Sequence, residues 1–215
     1  MVVYFTSAEG HTIYMGKDKF ENEDLVRYGF LEDIWFHVDD LSSAHVYLRL
    51  PLGQSTLDEV SATCLEECAQ LVKDNSIEGR KKTSVSVCYT KWRNLKKTTS
   101  MEIGQVGFKY PERVRHYKVA EKNTDIVKRL NKTKQELYPD LEKEHQQREV
   151  LYKAERKKQR LRLEAATRKE KQDYKAQKEP RSYSSLMSRD NVDSNNKLEA
   201  AADLSSVNAY EEDFM

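Results

Sequence analysis

The chain is poor in the residues that build phosphate-cradling loops, covalent frameworks and membrane spans. It has only seven glycines in 215 residues, and none lies in a glycine-rich loop of the kind that wraps a nucleotide phosphate. No serine elbow is present either, so no catalytic residue and no cofactor are assigned. Three cysteines, Cys64, Cys68 and Cys88, are an odd number. Without a secretion signal they point to reduced thiols in the cytosol or nucleus. Cys64 and Cys68 share a helical face, but no Cys-x-x-Cys or paired His motif follows, so they read as core thiols and no metal site is expected. The start, Met1-Val-Val-Tyr-Phe5, lacks the basic and apolar regions of a signal peptide. No stretch approaches ~18 uninterrupted apolar residues. The nearest candidate, Gly104 to Ala120, is interrupted by Lys109, Glu112, Arg113, Arg115, His116 and Lys118, which is prohibitive on a lipid-facing helix.

What the chain has is charge, unevenly placed. Charged residues are 34% of the total and the formal net charge is +1, with a mean hydropathy of -0.86. That near-neutral sum is a cancellation. Residues 1–120 hold 16 Lys/Arg and 17 Asp/Glu, together with both tryptophans and all the phenylalanines except Phe214. Residues 142–179 hold 13 Lys/Arg against 8 Asp/Glu, and residues 180–215 hold 3 against 7. The first block is long enough to bury a core; the second is a solvated basic segment; the third, rich in Ser, Asn, Asp and Ala after Pro180, reads as a disordered acidic tail.

Periodicity fills in the elements. Val2–Thr6 and Thr12–Met15 read as a hairpin closed at Gly10. A short helix capped by Asn22 ends at Gly29. Ile34–Val38 and His45–Leu50 are strand-like, as are Val85–Tyr89, Ile103–Phe108 and Val114–Val119. Thr56-Leu-Asp-Glu59 forms a capping box for a helix that runs to about Lys73. The sum is an α+β domain at 1–120, a mixed sheet with packed helices. Segment 121–179 reads as helical, broken near Pro139. Its long second part has a thin apolar seam of Leu151, Ala154, Leu161 and Ala165 interrupted by Lys158 and Arg168, so it reads as a charged single helix or a weak coiled coil.

Three groups of residues suggest nucleic-acid contacts. In Gly16-Lys17-Asp18-Lys19-Phe20-Glu21, a turn backbone with two lysines suits a phosphate and Phe20 suits a base; a solvated turn with Phe20 in the core fits the same residues. Arg80, Lys81 and Lys82, then Lys91, Trp92, Arg93, Lys96 and Lys97, put two basic clusters and an aromatic in loops that flank one strand. That is a footprint for single-stranded nucleic acid, or solubility charge around a core Trp92. His37 and His45 lie on adjacent strands near Asp39, where they serve either as structural or phosphate-contacting imidazoles or, less simply, as a hydrolytic pair.

At these residues the sequence resembles the NFACT-R family over about residues 2–120: T-I-Y-M-G-K-D-K-F-E-N-E-D-L, then D-I-W-F-H, S-S-A-H-V, and T-S-V-S-V-C-Y-T-K-W-R-N-L-K-K closing with I-G-Q-V-G-F. The resemblance implies a stand-alone RNA-binding module with a helical tail. In larger members the module accompanies ribosome-bound quality-control factors that recruit tRNA, so RNA or the ribosome is the expected partner. Stand-alone members, which the chain resembles as far as R-S-Y-S-S-L-M at 181–187, have also been described as plasma-membrane sensors of extracellular DNA. Their DNA contact maps here to Lys17, Asp18, Lys19, Phe20 and Glu21. The expectation is a non-enzymatic nucleic-acid-binding protein of the cytoplasm or nucleus. The alternatives are a cell-membrane DNA sensor and an adaptor whose 121–179 helix carries a protein partner.

Overall fold

The structure is a computed structural model that describes residues 1–54 and 56–178. Strands β1 (Val2–Thr6) and β2 (Thr12–Gly16) form the expected hairpin, in register from Val2↔Gly16 to Thr6↔Thr12. Gly10, at φ 82°, closes its loop. Helix α1 (Lys19–Tyr28) starts earlier than expected. Its cap is Asp18, whose Oδ1 accepts from the N–H groups of Phe20 (2.9 Å) and Glu21 (3.0 Å). Asn22 is thereby placed one turn inside the helix and buried. Strands β3 (Asp33–Val38) and β4 (Val46–Arg49) follow. The Thr56–Glu59 pair does close, with Glu59 Oε2 accepting from the Thr56 N–H at 2.7 Å, but it organises only a 3₁₀ turn, Leu57–Glu59. Helix α2 (Ala62–Asp74) is capped separately by Ser61, whose Oγ accepts from the Cys64 N–H.

The remaining elements are β5 (Val85–Lys91), β6 (Leu95–Lys96), β7 (Gly107–Phe108), β8 (Arg115–Val119), α3 (Thr124–Lys132), β9 (Gln135–Leu137) and α4 (Leu141–Lys178). The expected strand at 103–108 is reduced to its last two residues. Gly104 sits at φ 90° and turns the chain out of any extended run, so β7 pairs only with β6.

The main sheet has seven strands in the order β8-β5-β3-β4-β2-β1-β9. Every pair in it is antiparallel, not mixed. α2 does carry the chain between two strands that run the same way, β4 and β5. β3 already occupies the place between them and is antiparallel to both, so the crossover produces no parallel pair. Strand alternation then makes two cores. Val3, Phe5, Ile13, Ile34, Phe36, Val46 and Leu48 meet α2 and α3 on one face. Val2, Tyr14, Trp35 and Tyr47 meet Leu25 and Val26 of α1 on the other, together with Leu95 and the half-buried Phe108 and Leu141. All three cysteines are buried free thiols, as expected.

The segment expected to be one helix from Asn123 toward Leu141 is split. α3 ends at Lys132, and β9 pairs with the outer edge of β1 from Val2↔Leu137 to Tyr4↔Gln135. Pairing satisfies the N–H and C=O groups that β1 would otherwise expose, and it overrides the helical pattern. One compact unit consequently runs from Met1 to Leu151, beyond the expected boundary at 120. α4 buries no residue, in keeping with its thin seam. No helix among the described residues is long and apolar enough to cross a membrane. The expected acidic tail at 180–215 lies outside the described residues.

At the centre of the sheet the carboxylate of Asp33, fully buried, accepts from the Tyr14 hydroxyl (2.6 Å), the Phe30 N–H (2.7 Å) and Arg49 Nε (3.0 Å). Replacing it (Asp33→Ala) leaves the Arg49 guanidinium without its buried partner. The expected cost is about 3–5 kcal/mol, read as a lower urea midpoint; a change under 1 kcal/mol would contradict this role.

Candidate nucleic-acid interface

The Gly16–Glu21 turn opens onto a groove of about 1170 Å³. Its other walls come from Ser42–His45 in the β3–β4 loop, Asn75 and Ile77 after α2, residues 100–105, and Lys134 and Glu136 beside β9. A Cβ at Gly16 would lie 3.0 Å from the Asn22 nitrogen, so glycine is what lets the turn pack this tightly against α1. Lys17 and Lys19 are exposed, and Phe20 is 59% exposed rather than in the core. Asp18 and Glu21 are otherwise engaged. Asp18 caps α1, and the N–H groups of Glu21 and Phe20 hold its carboxyl below the usual range. Glu21 pairs with the amino terminus of Met1.

His37 and His45 do face each other, with ring centroids 4.8 Å apart, on the side of the sheet that lines this groove. His45 is committed to structure: Trp35 Nε1 donates to its Nδ1 at 2.9 Å. Burial first, then the neighbouring His37, pushes its pKa down to about 3. His37 stacks flat on Trp35 and donates from Nδ1 to the Val38 carbonyl at 2.6 Å; burial lowers its pKa too. Asp39, the third member of the hydrolytic alternative, turns away to His116 at 3.2 Å.

The basic clusters are divided by the fold. Lys91 and Arg93 line a second cleft of about 770 Å³. Trp92, read from sequence as either a stacking surface or a core residue, donates from Nε1 to the Val26 carbonyl at 2.8 Å and packs so closely on Gly29 that a Cβ there would lie 2.2 Å from it. Lys96 is exposed on β6. Lys97 is also withdrawn from any ligand. Its Nζ is bound by Glu23 (2.6 Å) and the carbonyls of Glu102 (2.7 Å) and Gln105 (2.8 Å), which ties the 98–106 loop against α1. Arg80, Lys81 and Lys82 are exposed on a 3₁₀ turn and line neither cleft.

Sequence reasoning missed the cations that come from elsewhere in the chain. The second cleft gathers Lys109, Arg113 and Arg115 beside Lys91 and Arg93, with Asp58 and Glu112 as its acidic lining. Arg113 lies 4.5 Å from the ring centroid of Tyr110, which is 49% exposed. Lys134 joins the larger groove only because β9 pairs with β1. The 109–115 cluster does carry a local signal, the same charges that bar Gly104–Ala120 from a membrane. Cys64 meets Glu9 and His11 of the hairpin loop rather than forming a ligand pair with Cys68. Ser61 donates to that Glu9 at 2.7 Å, and burial raises the Cys64 thiol pKa, so the cluster reads as a hairpin anchor.

Residues 1–110 match the family described as the NFACT protein RNA binding domain. The chain belongs to the NFACT-R family. The match is to half of the chain, and similarity extends further. Coiled-coil domain-containing protein 25 of Bos taurus is 49% identical over 202 residues, covering 91% of this chain and 95% of that one. The Rqc2 homolog RqcH of Bacillus subtilis is 33% identical over 108 residues, 48% of this chain and 17% of that protein. Among solved structures, the C-terminal part of the fibronectin/fibrinogen-binding protein from Streptococcus suis matches with a TM-score of 0.50 at 20% identity, over 59% of this chain and 48% of that one; this likeness is one of fold.

Two outcomes follow for this NFACT-R domain. A neutral, buried His45 disfavours the folded state wherever the unfolded chain would bind a proton and the folded one does not. Stability is therefore full above the ordinary histidine value of 6.5 and falls as pH drops from there toward about 3, by up to about 1.4 kcal/mol per pH unit. His45→Asn flattens that slope between pH 6.5 and 5 in denaturant titrations; an unchanged slope contradicts the assignment. Lys97→Met releases the 98–106 loop, giving a new cut between residues 96 and 110 in limited proteolysis, whereas an unaltered digestion pattern means the loop is held otherwise.

Proposed function

We propose that this NFACT-R chain is a non-enzymatic RNA-binding protein of the cytoplasm or nucleus that engages the sugar–phosphate backbone of single-stranded RNA at its second cleft. The observation that carries the reading is the convergence of Lys91, Arg93, Lys109, Arg113 and Arg115 on one cleft whose acidic lining is Asp58 and Glu112. Arg115 is paired to Asp58 at 2.8 Å, which leaves Lys91, Arg93, Lys109 and Arg113 in excess over Glu112. Arginines fork onto phosphate oxygens, and Arg113 laid on Tyr110 offers a flat surface on which a base or sugar can rest. The first block of the chain is close to neutral, so binding depends on this local gathering of charge rather than on an overall field. The family's description as RNA-binding supports RNA over DNA, and the similarity to RqcH supports a ribosomal RNA setting.

Salt tests this directly. Binding of a labelled single-stranded RNA weakens steeply as salt rises, because each neutralised phosphate releases counterions. Lys109→Glu/Arg113→Glu lowers affinity at least tenfold and reduces the log–log salt slope by about 1.4, two phosphates at about 0.7 each. A flat titration of the unaltered protein, or an unchanged slope in the variant, defeats the proposal. Single-stranded DNA in competition at equal strength would remove the preference for RNA.

A further inference from the structure

The anchor between the β1–β2 loop and the start of α2 gathers a different chemistry from that of either cleft. Glu9, His11 and Cys64 each offer one ligand atom, and these atoms lie within 4.8 Å of one another. Two of the separations meet at a single carboxylate oxygen. Cys64 Sγ is 3.5 Å from Glu9 Oε2, and His11 Nε2 is 3.8 Å from the same Oε2. The other oxygen, Oε1, is held by the Ser61 hydroxyl at 2.7 Å, the kind of outer contact that orients a metal-binding carboxylate. Tetrahedral zinc holds sulfur at about 2.3 Å and nitrogen or oxygen at about 2.0–2.2 Å, so the edges between its ligands are about 3.4–3.6 Å. The Cys64–Glu9 edge already has that length, and the His11–Glu9 edge is slightly longer.

The backbone beneath this triangle is fixed by groups outside it. Glu67, fully buried on α2, accepts from the Ala8 N–H at 3.0 Å and is paired with Arg129 of α3. Across the loop the His11 N–H donates to Ser7 Oγ at 2.8 Å, and the Ser7 N–H donates to the His11 carbonyl at 2.9 Å. Cys64 is the third residue of α2 and is buried; the N-terminal turn of a helix favours a thiolate over a thiol. Ligands held this way need little ordering when an ion arrives. The Glu9 and His11 side chains are 38% and 25% exposed, so the triangle has one side open to solvent, from which an ion can enter.

We propose that Glu9, His11 and Cys64 form an exchangeable zinc(II) site, with solvent as the fourth ligand. The donor set selects the metal. Magnesium and calcium take oxygen ligands, whereas a thiolate, an imidazole and a carboxylate together suit zinc. Binding releases one proton: the Cys64 S–H bond gives its proton to solvent as the S–Zn bond forms, and no group is oxidised or reduced. Thiolate and carboxylate then balance the two charges of the ion, which leaves the filled site neutral beside a buried sulfur. Three protein ligands and one solvent position make an open site, unlike the four protein ligands of a closed structural one. The bound ion clamps the β1–β2 loop onto α2. It lies on the α2 side of the sheet and does not depend on the RNA-binding reading.

The test uses the full chain, reduced, stripped of metal with a chelator and exchanged into metal-free buffer. Zinc is titrated in competition with a chromophoric chelator. Cobalt(II) serves as the spectroscopic probe, because a thiolate on cobalt gives a charge-transfer band in the near ultraviolet. The unaltered protein takes up a single equivalent of zinc and shows that band with cobalt. Cys64→Ser loses the band, whereas Cys88→Ser keeps it. His11→Ala sits in the hairpin loop, where circular dichroism checks that the fold is intact. It weakens zinc binding by more than about a hundredfold, beyond the usual cost of losing an outer contact. It also loses the rise in Tm that zinc gives the unaltered protein. The proposal is overturned if the unaltered protein takes up no zinc, if the cobalt band persists in Cys64→Ser, or if His11→Ala binds zinc as tightly as the unaltered protein.

Discussion

The buried carboxylate of Asp33 ties together three parts of the chain. Through Tyr14 it reaches β2, through Arg49 the end of β4, and through the Phe30 N–H the loop that follows α1. Arg49 in turn lies 3.8 Å from the Phe30 ring centroid and 4.8 Å from that of Tyr14, so the guanidinium is held between aromatic faces as well as by charge. A buried ion pair is a poor source of net stability, because desolvation offsets most of the attraction. Its effect here is on position. It sets where α1 leaves the sheet, and with α1 the Gly16–Glu21 turn.

From that anchor the two faces of the sheet take different work. The α2–α3 face carries the larger apolar core, with Ile34, Phe36, Val46 and Leu48 fully buried, and α2 adds the buried Glu67, Gln70 and Lys73. The opposite face is partly polar by design of its side chains: Tyr14, Tyr47, Trp35, His37 and His45 alternate with the core residues along β2, β3 and β4. Their polar atoms are tied to one another or to nearby backbone, and the Asn22 amide stands out because it is not. That face is also where the loop at 98–106 lies, clipped by Lys97 and Glu23.

Charge follows a similar division. Lys97 is a strut, Trp92 a wedge between α1 and the strand ends, and Asp18 a helix cap. The cations left for a ligand are Lys91, Arg93 and Arg113 in one cleft, with Lys109 beside them donating to the Arg93 carbonyl at 2.9 Å, and Lys17 and Lys19 at the mouth of the other. A basic residue in a loop thus carries information about ligands only after its internal partners are known.

Much of the protein is written in local pattern. The β1–β2 hairpin, the apolar alternation of β3 and β4, the long face of α2 and the charged α4 are legible because each depends on residues close together in the chain. The α+β class and the His37–His45 pairing follow from the same periodicities. The residues of Asn123–Leu141 also carry a local pattern, a helical one, and there it misleads, because the free edge of β1 recruits Gln135–Leu137 into the sheet. Tertiary structure alone decided the antiparallel order around β3, the removal of Trp92 and Lys97 from the candidate interface, and the gathering of Lys109 and Arg113 beside Lys91. The reason is one of range: periodicity reports which face of an element is buried, whereas a cleft is made by segments far apart in sequence whose approach is settled only by strand pairing and by buried hydrogen bonds.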